Sequence, residues 1–198
     1  MSHVELFATS NFTFLTGASH PQELVLRASE LGLGGIAITD RNTFAGIVRG
    51  HSLAKELGLQ YIVGTRLVLS DGTELLAYPK TRTAFGRLCR LLTLGKRRTV
   101  KGECQLTLED VLAHGADSVL ICLSSPDFKT VARRLAEAFG EDVFLGLAPE
   151  YDGRDAARFE ECVRLALELG LEPVALGNVI MHSAARLRLA DILSCIRE

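Results

Sequence analysis

Apolar residues fall along this chain in two rhythms, short extended runs and longer helical stripes, and the two take turns. Val4, Leu6 and Ala8 predict a first strand. Leu24, Val25, Ala28 and Leu31 predict a helix opened by Pro21, with Ser19 as its N-cap and Gly32 as its stop. Ile36-Ala37-Ile38 is an apolar run without polar alternation, the mark of a strand covered on both faces. It ends at Thr39-Asp40. Asn42 or Thr43 then caps a helix carrying Ile47, Val48, Leu53 and Leu57 and closed by Gly58. Tyr61-Ile62-Val63 is a third strand, broken by Gly64, with Arg66 to Leu69 extended beyond it. Asp71-Gly72, between Leu67-Val68-Leu69 and Leu75-Leu76-Ala77, predicts a hairpin.

The second half continues the alternation. A helix from Thr83 to Leu94 is followed by a glycine-bounded surface segment, Gly95 to Gly102, and by a short helix reaching His114. Thr107-x-x-Asp110 caps that short helix in a close relative of the capping box. Strands at Val119 to Leu123, Val143 to Leu145 and Val174 to Leu176 then interleave with helices at Thr130 to Phe139, Ala156 to Leu169 and Ala184 to Ile196. Six or seven strand–helix alternations with one inserted hairpin describe an α/β chain with a mainly parallel sheet, and that number favours a barrel or partial barrel over an open sheet. Gly32, Gly34 and Gly35 precede a strand rather than follow one, the wrong context for a dinucleotide site. The 198 residues suit one domain, without repeats or low-complexity linkers. The last helix runs out without a Gly or Pro terminator, an ending found in natural chains and often in excised domains.

Composition changes this picture little, and charge changes it locally. A net charge of −2 gives the molecule no general attraction to nucleic acid. Cys89, Cys104, Cys122, Cys162 and Cys195 form no C-x-x-C pair and read as reduced, largely buried thiols. No opening signal peptide and no apolar run approaching the ~18 residues of a membrane span are present, which predicts a cytoplasmic protein without membrane contact. The exception is Lys80 to Lys101. It carries eight basic residues and no acid, leaving −10 on the remainder. Such a stripe is either a solvated helix face or a surface for a phosphate backbone or an acidic partner, through Arg87, Arg90, Lys96, Arg97, Arg98 and Lys101. Phe85 alone interleaves it, so base stacking is not indicated.

Residues able to do chemistry are sparse. The loop from the first strand to Pro21 leaves a strand end, where α/β proteins place active sites, yet it contains almost no reactive side chain. The five histidines include no H-x-H and no helical i, i+4 pair, so local metal-ligand spacing is absent. His20 reads as a turn residue and His51 as a surface or supporting residue. His182 leaves a strand at a candidate active face. Asp40 ends a buried strand, either as an acid in a barrel mouth or as one already paired with Arg41 or capping the next helix. Ser10, Thr13 and Ser19 have no histidine at a spacing that suggests a base.

Five separated stretches nevertheless agree with one family. ATSNFTFLTGASHPQELVLRASELG, GIAITDRNTFAGIVRGH, YPKTRTAFGRLCRLLTLGKRR, KGECQLTLEDVL and EPVALGNVIMH followed by LADILSCIR resemble, in order, the N-terminal PHP (polymerase and histidinol phosphatase) domain of bacterial C-family DNA polymerases, nearest to the error-prone, damage-inducible branch. The resemblance implies a distorted (β/α)7 TIM-like barrel, a single PHP domain over residues 1–198. It also implies a longer DNA-directed DNA polymerase whose palm, fingers and thumb lie beyond it and use Mg²⁺. The implied partners are those remaining polymerase domains, with DNA and mutagenesis accessory proteins reached through the basic stripe.

Metal-binding PHP domains hold up to three cations with His, Asp and Glu residues. Carried over position by position, the first-strand H-x-H falls on Phe7 and Thr9, and the aspartate before the loop glycine on Thr16. The histidine after Thr-Asp falls on Arg41, the glutamate after the third strand on Arg66, the late Asp-x-His pair on Asn178 and Ile180, and a further histidine near Glu74. Phe and Ile have no donor atom, and Arg repels a cation. The resemblance therefore implies no metal and no cofactor in this part of the chain, with Arg41 and Arg66 supplying fixed charge, paired with Asp40 or Glu74 or bonded to Asn178. The expected function is a non-catalytic scaffold of an error-prone polymerase acting in damage-induced mutagenesis and translesion synthesis. The alternatives are a metal-dependent phosphoesterase using Asp40, His51 and His182, and a free-standing binding module.

Overall fold

The computed structural model describes residues 3–125 and 128–197. Its contacts divide into two compact units, Met1–Thr65 with Gly177–Glu198, and Arg66–Leu176. The first is built on a parallel sheet of β1 (Val4–Ala8), β2 (Gly35–Ile38) and β3 (Gln60–Val63), in that order. Helices α1 (Pro21–Glu30) and α2 (Ile47–Leu57) pack on it and on each other. Leu24, Val25, Ala28, Ile36, Ile38 and Ala54 make its core, with Leu53, Tyr61 and Val179 packed against them. β2 is buried at every residue, as its unbroken apolar run predicts. After residue 176 the chain returns to this unit: Val179 bridges Ala8 in parallel and its backbone bonds Phe7 and Thr9, covering the outer edge of β1. Helix α7 (Leu187–Arg197), entered through a 3₁₀ turn at Ala184–Arg186, completes the unit.

The second unit carries a sheet ordered β4 (Thr65–Val68), β5 (Glu74–Pro79), β6 (Ser118–Cys122), β7 (Val143–Leu147) and β8 (Glu172–Ala175). The predicted turn forms at Asp71-Gly72, with Gly72 at φ 84° and the Asp71 carboxylate accepting the Thr73 N–H at 2.8 Å. β5 runs antiparallel to β6, and β6, β7 and β8 are parallel. Helices α5 (Phe128–Phe139) and α6 (Asp155–Leu169) pack on β7, while α3 (Arg82–Arg97) packs on β5 and on the short α4 (Leu108–His114). Thr107 and Asp110 form the expected capping box. Strand pairing thus yields α/β architecture in two sheets, of three and five strands, rather than one closed hydrogen-bonded ring.

Several local expectations are corrected. In β1 it is Glu5 and Phe7 that are buried, while Val4 and Leu6 are partly covered. The Glu5 carboxylate is stabilised there by the N–H groups of Phe7 at 2.7 Å and Gly177 at 3.2 Å. α2 is not capped by Asn42 or Thr43. Asn42 turns the chain at φ 49°, and the helix starts behind Gly46 with no side-chain cap. α3 does not stop at Leu94. Gly95 stays helical because it is a packing position: a Cβ there would lie 2.5 Å from Leu106 and 2.7 Å from Cys104. The helix therefore carries Lys96 and Arg97 in its last turn. Cys122 and Cys162 are buried thiols, pushed up by burial to about 12 and about 11, whereas Cys195 is exposed on α7.

Candidate functional site

The loop leaving β1 closes on itself through backbone bonds. Asn11 donates to the Ser19 carbonyl, Gly17 donates to Thr13, and Ala18 donates to Ile180. The approach is so close that a Cβ on Gly17 would fall 2.0 Å from the Ser10 carbonyl oxygen. Into this loop β2 delivers Asp40, which is 1% exposed. Its Oδ1 accepts from the Ser10 N–H and from Thr13 Oγ1, each at 2.8 Å, and its Oδ2 accepts from Ser10 Oγ at 2.6 Å. Thr13 Oγ1 accepts in turn from the Arg41 N–H at 2.9 Å. A Cβ on Gly46 would sit 2.9 Å from Oδ2, so the start of α2 lies flush against the acid. A carboxylate withdrawn from water costs several kcal/mol unless donors replace the water. Here hydroxyl and backbone donors do so.

Of the readings of Asp40, pairing with Arg41 and capping the next helix do not hold. It does not pair with Arg41, whose side chain is exposed and makes no ion pair among the described residues. It does not cap α2 either. Consecutive residues leaving a strand point to opposite sides, so when Asp40 faces the loop Arg41 faces water. Arg66, in the second unit, does meet Glu74, at 3.6 Å.

The other inherited positions are also occupied by structure. Phe7 is a buried core ring and Thr9 is fully buried beside it. Thr16 Oγ1 accepts from Arg197 at 3.2 Å. Asn178 holds a left-handed turn at φ 52°, and the Ile180 carbonyl accepts the Ala18 N–H at 2.8 Å.

His182 is drawn into a cluster that spacing did not reveal. Its Nδ1 lies 2.8 Å from Ser19 Oγ, and its backbone N–H donates to the same oxygen at 2.9 Å. Glu23 Oε2 stands 3.9 Å from that same Nδ1. Burial raises the Glu23 pKa, but the His20 N–H and the Arg186 guanidinium outweigh it and hold the carboxyl below its ordinary value. A hydroxyl–imidazole–carboxylate relay needs the hydroxyl and the acid on different ring nitrogens. Here both face Nδ1, so the cluster fastens the approach to α7 onto α1 instead of activating Ser19. Ser19 is therefore not the cap of α1; His20 occupies that position, with Glu23 accepting its N–H at 2.8 Å. His20-Pro21-x-Glu23 was the available signal, hidden because histidine is an unusual capping residue. His51 is exposed on α2, edge-on to Tyr61 at 6.0 Å.

The basic stripe is partly neutralised from distant positions. Arg87 donates to Asp117 at 2.6 Å, Lys80 to Asp142 at 2.6 Å, and Arg98 grips both oxygens of Asp110. Arg90, Lys96, Arg97 and Lys101 remain exposed without an ion pair among the described residues. Arg90 and Arg97, with Arg98 and His114, line a shallow surface depression.

Residues 6–142 match the model of a family described as PHP domain. The chain belongs to the PHP domain family. This PHP domain is 43% identical to an error-prone DNA polymerase of Ruegeria pomeroyi, an alignment covering 100% of the chain and 22% of that polymerase. It is 42% identical to one of Brucella abortus, covering 99% and 19%, and 39% identical to one of Rhodopirellula baltica, covering 100% and 18%. The similarity lies in their N-terminal region, so the chain spans about a fifth of the length of the curated relatives it matches. Among solved structures, a protein of Bifidobacterium adolescentis designated a metal-dependent phosphoesterase superposes with a TM-score of 0.62 at 15% identity, covering 97% of this PHP domain and 96% of that chain. An amidohydrolase of Chromobacterium violaceum, holding sulfate and no metal, gives 0.61 at 15% identity, covering 91% and 88%. At that identity the likeness concerns the fold.

The positions at which metal-binding PHP domains hold their ligands carry Phe7, Thr9, Thr16, Arg41, Arg66, Asn178 and Ile180 here. Among the described residues no three His, Cys, Asp or Glu side chains converge closely enough to hold a metal ion. The one acid buried at the loop is already surrounded by Ser10 and Thr13.

Proposed function

We propose that this PHP domain is a non-catalytic scaffold at the front of an error-prone DNA polymerase that acts in damage-induced mutagenesis and translesion synthesis in the cytoplasm. In this reading the two sheets belong to a distorted (β/α)7 barrel whose mouth takes no metal and performs no hydrolysis. The observation that carries it is the occupancy of Asp40: hydroxyl and backbone donors take three of the carboxylate's roughly four lone-pair sites, the sites for which a cation would have to compete. Phe7 and Ile180 at inherited ligand positions support the same reading, because neither side chain can bind a cation. The identity to error-prone polymerases supports the polymerase context, and no helix among the described residues is long and apolar enough to cross a membrane. Arg82, Arg90, Lys96, Arg97 and Lys101 are the stripe's cations left, among the described residues, to face DNA or an accessory protein, while Lys80, Arg87 and Arg98 are committed to internal pairs.

The test is elemental analysis of the full-length protein after exposure to Zn²⁺, Mn²⁺ and Fe²⁺, compared with its Asp40→Asn and His182→Ala variants. Equal metal content in all three is expected. Near-stoichiometric metal lost with either substitution would restore the phosphoesterase reading.

A further inference from the structure

Helix α7 leaves its apolar side uncovered. Leu189, Ile192, Leu193 and Ile196 stand at i, i+3, i+4 and i+7, the stripe by which a helix seats on a partner. Yet only Ala190 of this helix is buried. Ile192 and Ile196 are 56% and 61% exposed, a poor use of two β-branched side chains on a helix held at both ends. Arg186 grips Glu23 before the first turn, and Arg197 donates to Thr16 after the last, so polar ties rather than the stripe hold α7 in place. Beside the stripe the β1–α1 loop presents Phe14, 83% exposed, on a backbone turned at Leu15 into the left-handed region at φ 59°. A branched residue adopts that conformation only where the surroundings demand it. Phe14 and Leu15 line a groove of about 300 Å³ with Leu189 and Leu193. Two separated segments thus present apolar side chains to one surface that none of the described residues covers.

We infer that the stripe of α7 and the Phe14 loop form the seat of the polymerase segment that follows residue 198. This rests on the polymerase reading above. The relatives that match this chain from end to end are about five times its length, so in them some 80% of the protein is available to cover a surface beside the junction. An intramolecular occupant also explains how such a face is kept out of solvent, since a tethered segment meets it at high effective concentration. The groove admits side chains from one inserting helix or loop, with Phe14 as a lateral wall. Arg188 and Asp191, exposed on the other side of α7, remain for water.

The test uses the full-length protein with a photo-crosslinking benzoylphenylalanine at position 192, and separately at position 48 on α2 as an exposed control. Crosslinks from position 192 to residues beyond 198 of the same chain are expected, with none from position 48. Hydrogen exchange adds a second readout: Ile192→Glu should speed exchange of the α7 amides tenfold or more while Val48→Glu leaves them unchanged. Crosslinks between copies that grow with protein concentration, crosslinks to DNA only, or exchange unaffected by Ile192→Glu would each overturn the inference. Primer extension by the unmodified protein tests the polymerase reading separately, so failure of one is not mistaken for failure of the other.

Discussion

Removing the Thr13 hydroxyl should unlock the loop while leaving its shape almost unchanged. Thr13→Val keeps the branched side chain but deletes the donor to Asp40 Oδ1 and the acceptor for the Arg41 N–H. A hydrogen bond to a charged acceptor contributes about 1.5–3 kcal/mol, and the stranded N–H adds to the loss, so about 2–3 kcal/mol is expected. Asp40→Asn retains an acceptor for Oδ1's two donors but turns an amide toward Ser10 Oγ, and should cost about 1–3 kcal/mol. The sign of this second effect is diagnostic. A buried acid kept for chemistry is a stability liability, and its removal stabilises the fold; a structural acid destabilises when lost. Urea midpoints at unchanged m-value measure both. A Thr13→Val cost under about 0.5 kcal/mol, or an Asp40→Asn protein more stable than its parent, would refute the structural role.

Two further outcomes follow from the basic stripe. Replacing Lys96 and Arg97 with Ala in the full-length polymerase should weaken binding to primed duplex and flatten its salt dependence by about two charges, read from log K against log salt; an unchanged slope would remove DNA from that surface. Asp110 behaves differently, because hydrogen bonding to the Arg98 guanidinium, helped by the Thr107 N–H, outweighs burial and holds its pKa at about 2, below its ordinary 3.8. The folded state is the stronger acid, so the pair stabilises above pH 3.8 and that contribution is lost as pH falls through about 2. Arg98→Ala should lower stability at neutral pH and flatten the acid limb between pH 4 and 2 in denaturation curves.

Where local chemistry settled the conformation, the chain could be read directly. Asp71-Gly72 names its own turn, Thr107 and Asp110 name a helix start, and Ile36 to Ile38 names a strand without a wet face. At Phe7, Arg41 and Ile180 the family resemblance sets residues that cannot bind a cation where metal-binding relatives hold ligands. What resisted reading depended on partners far along the chain. Nothing near Ser19 indicates that its hydroxyl belongs to His182, 163 positions away. Nothing near Arg87 shows that Asp117 will neutralise it, and Gly95 looks like a stop until Leu106 and Cys104 are seen against it. Val4, Leu6 and Ala8 name the first strand but not the burial of Glu5 within it. Glu5 is tolerable inside because the Phe7 N–H and, from far along the chain, the Gly177 N–H meet its carboxylate.

That last contact sets an order of events during synthesis. Glu5 and Gly177 lie 172 positions apart, and Val179 covers the edge of β1, so an early strand is completed by residues made much later. Arg66–Leu176 is continuous and has all its own strands before residues 177–180 leave the ribosome. Until then β1 offers an unpaired edge, the kind of surface on which nascent chains misassociate. A stall or cleavage between 176 and 180 would therefore spare the Arg66–Leu176 unit and leave β1 of the other unsealed, so translation speed across this return bears on solubility.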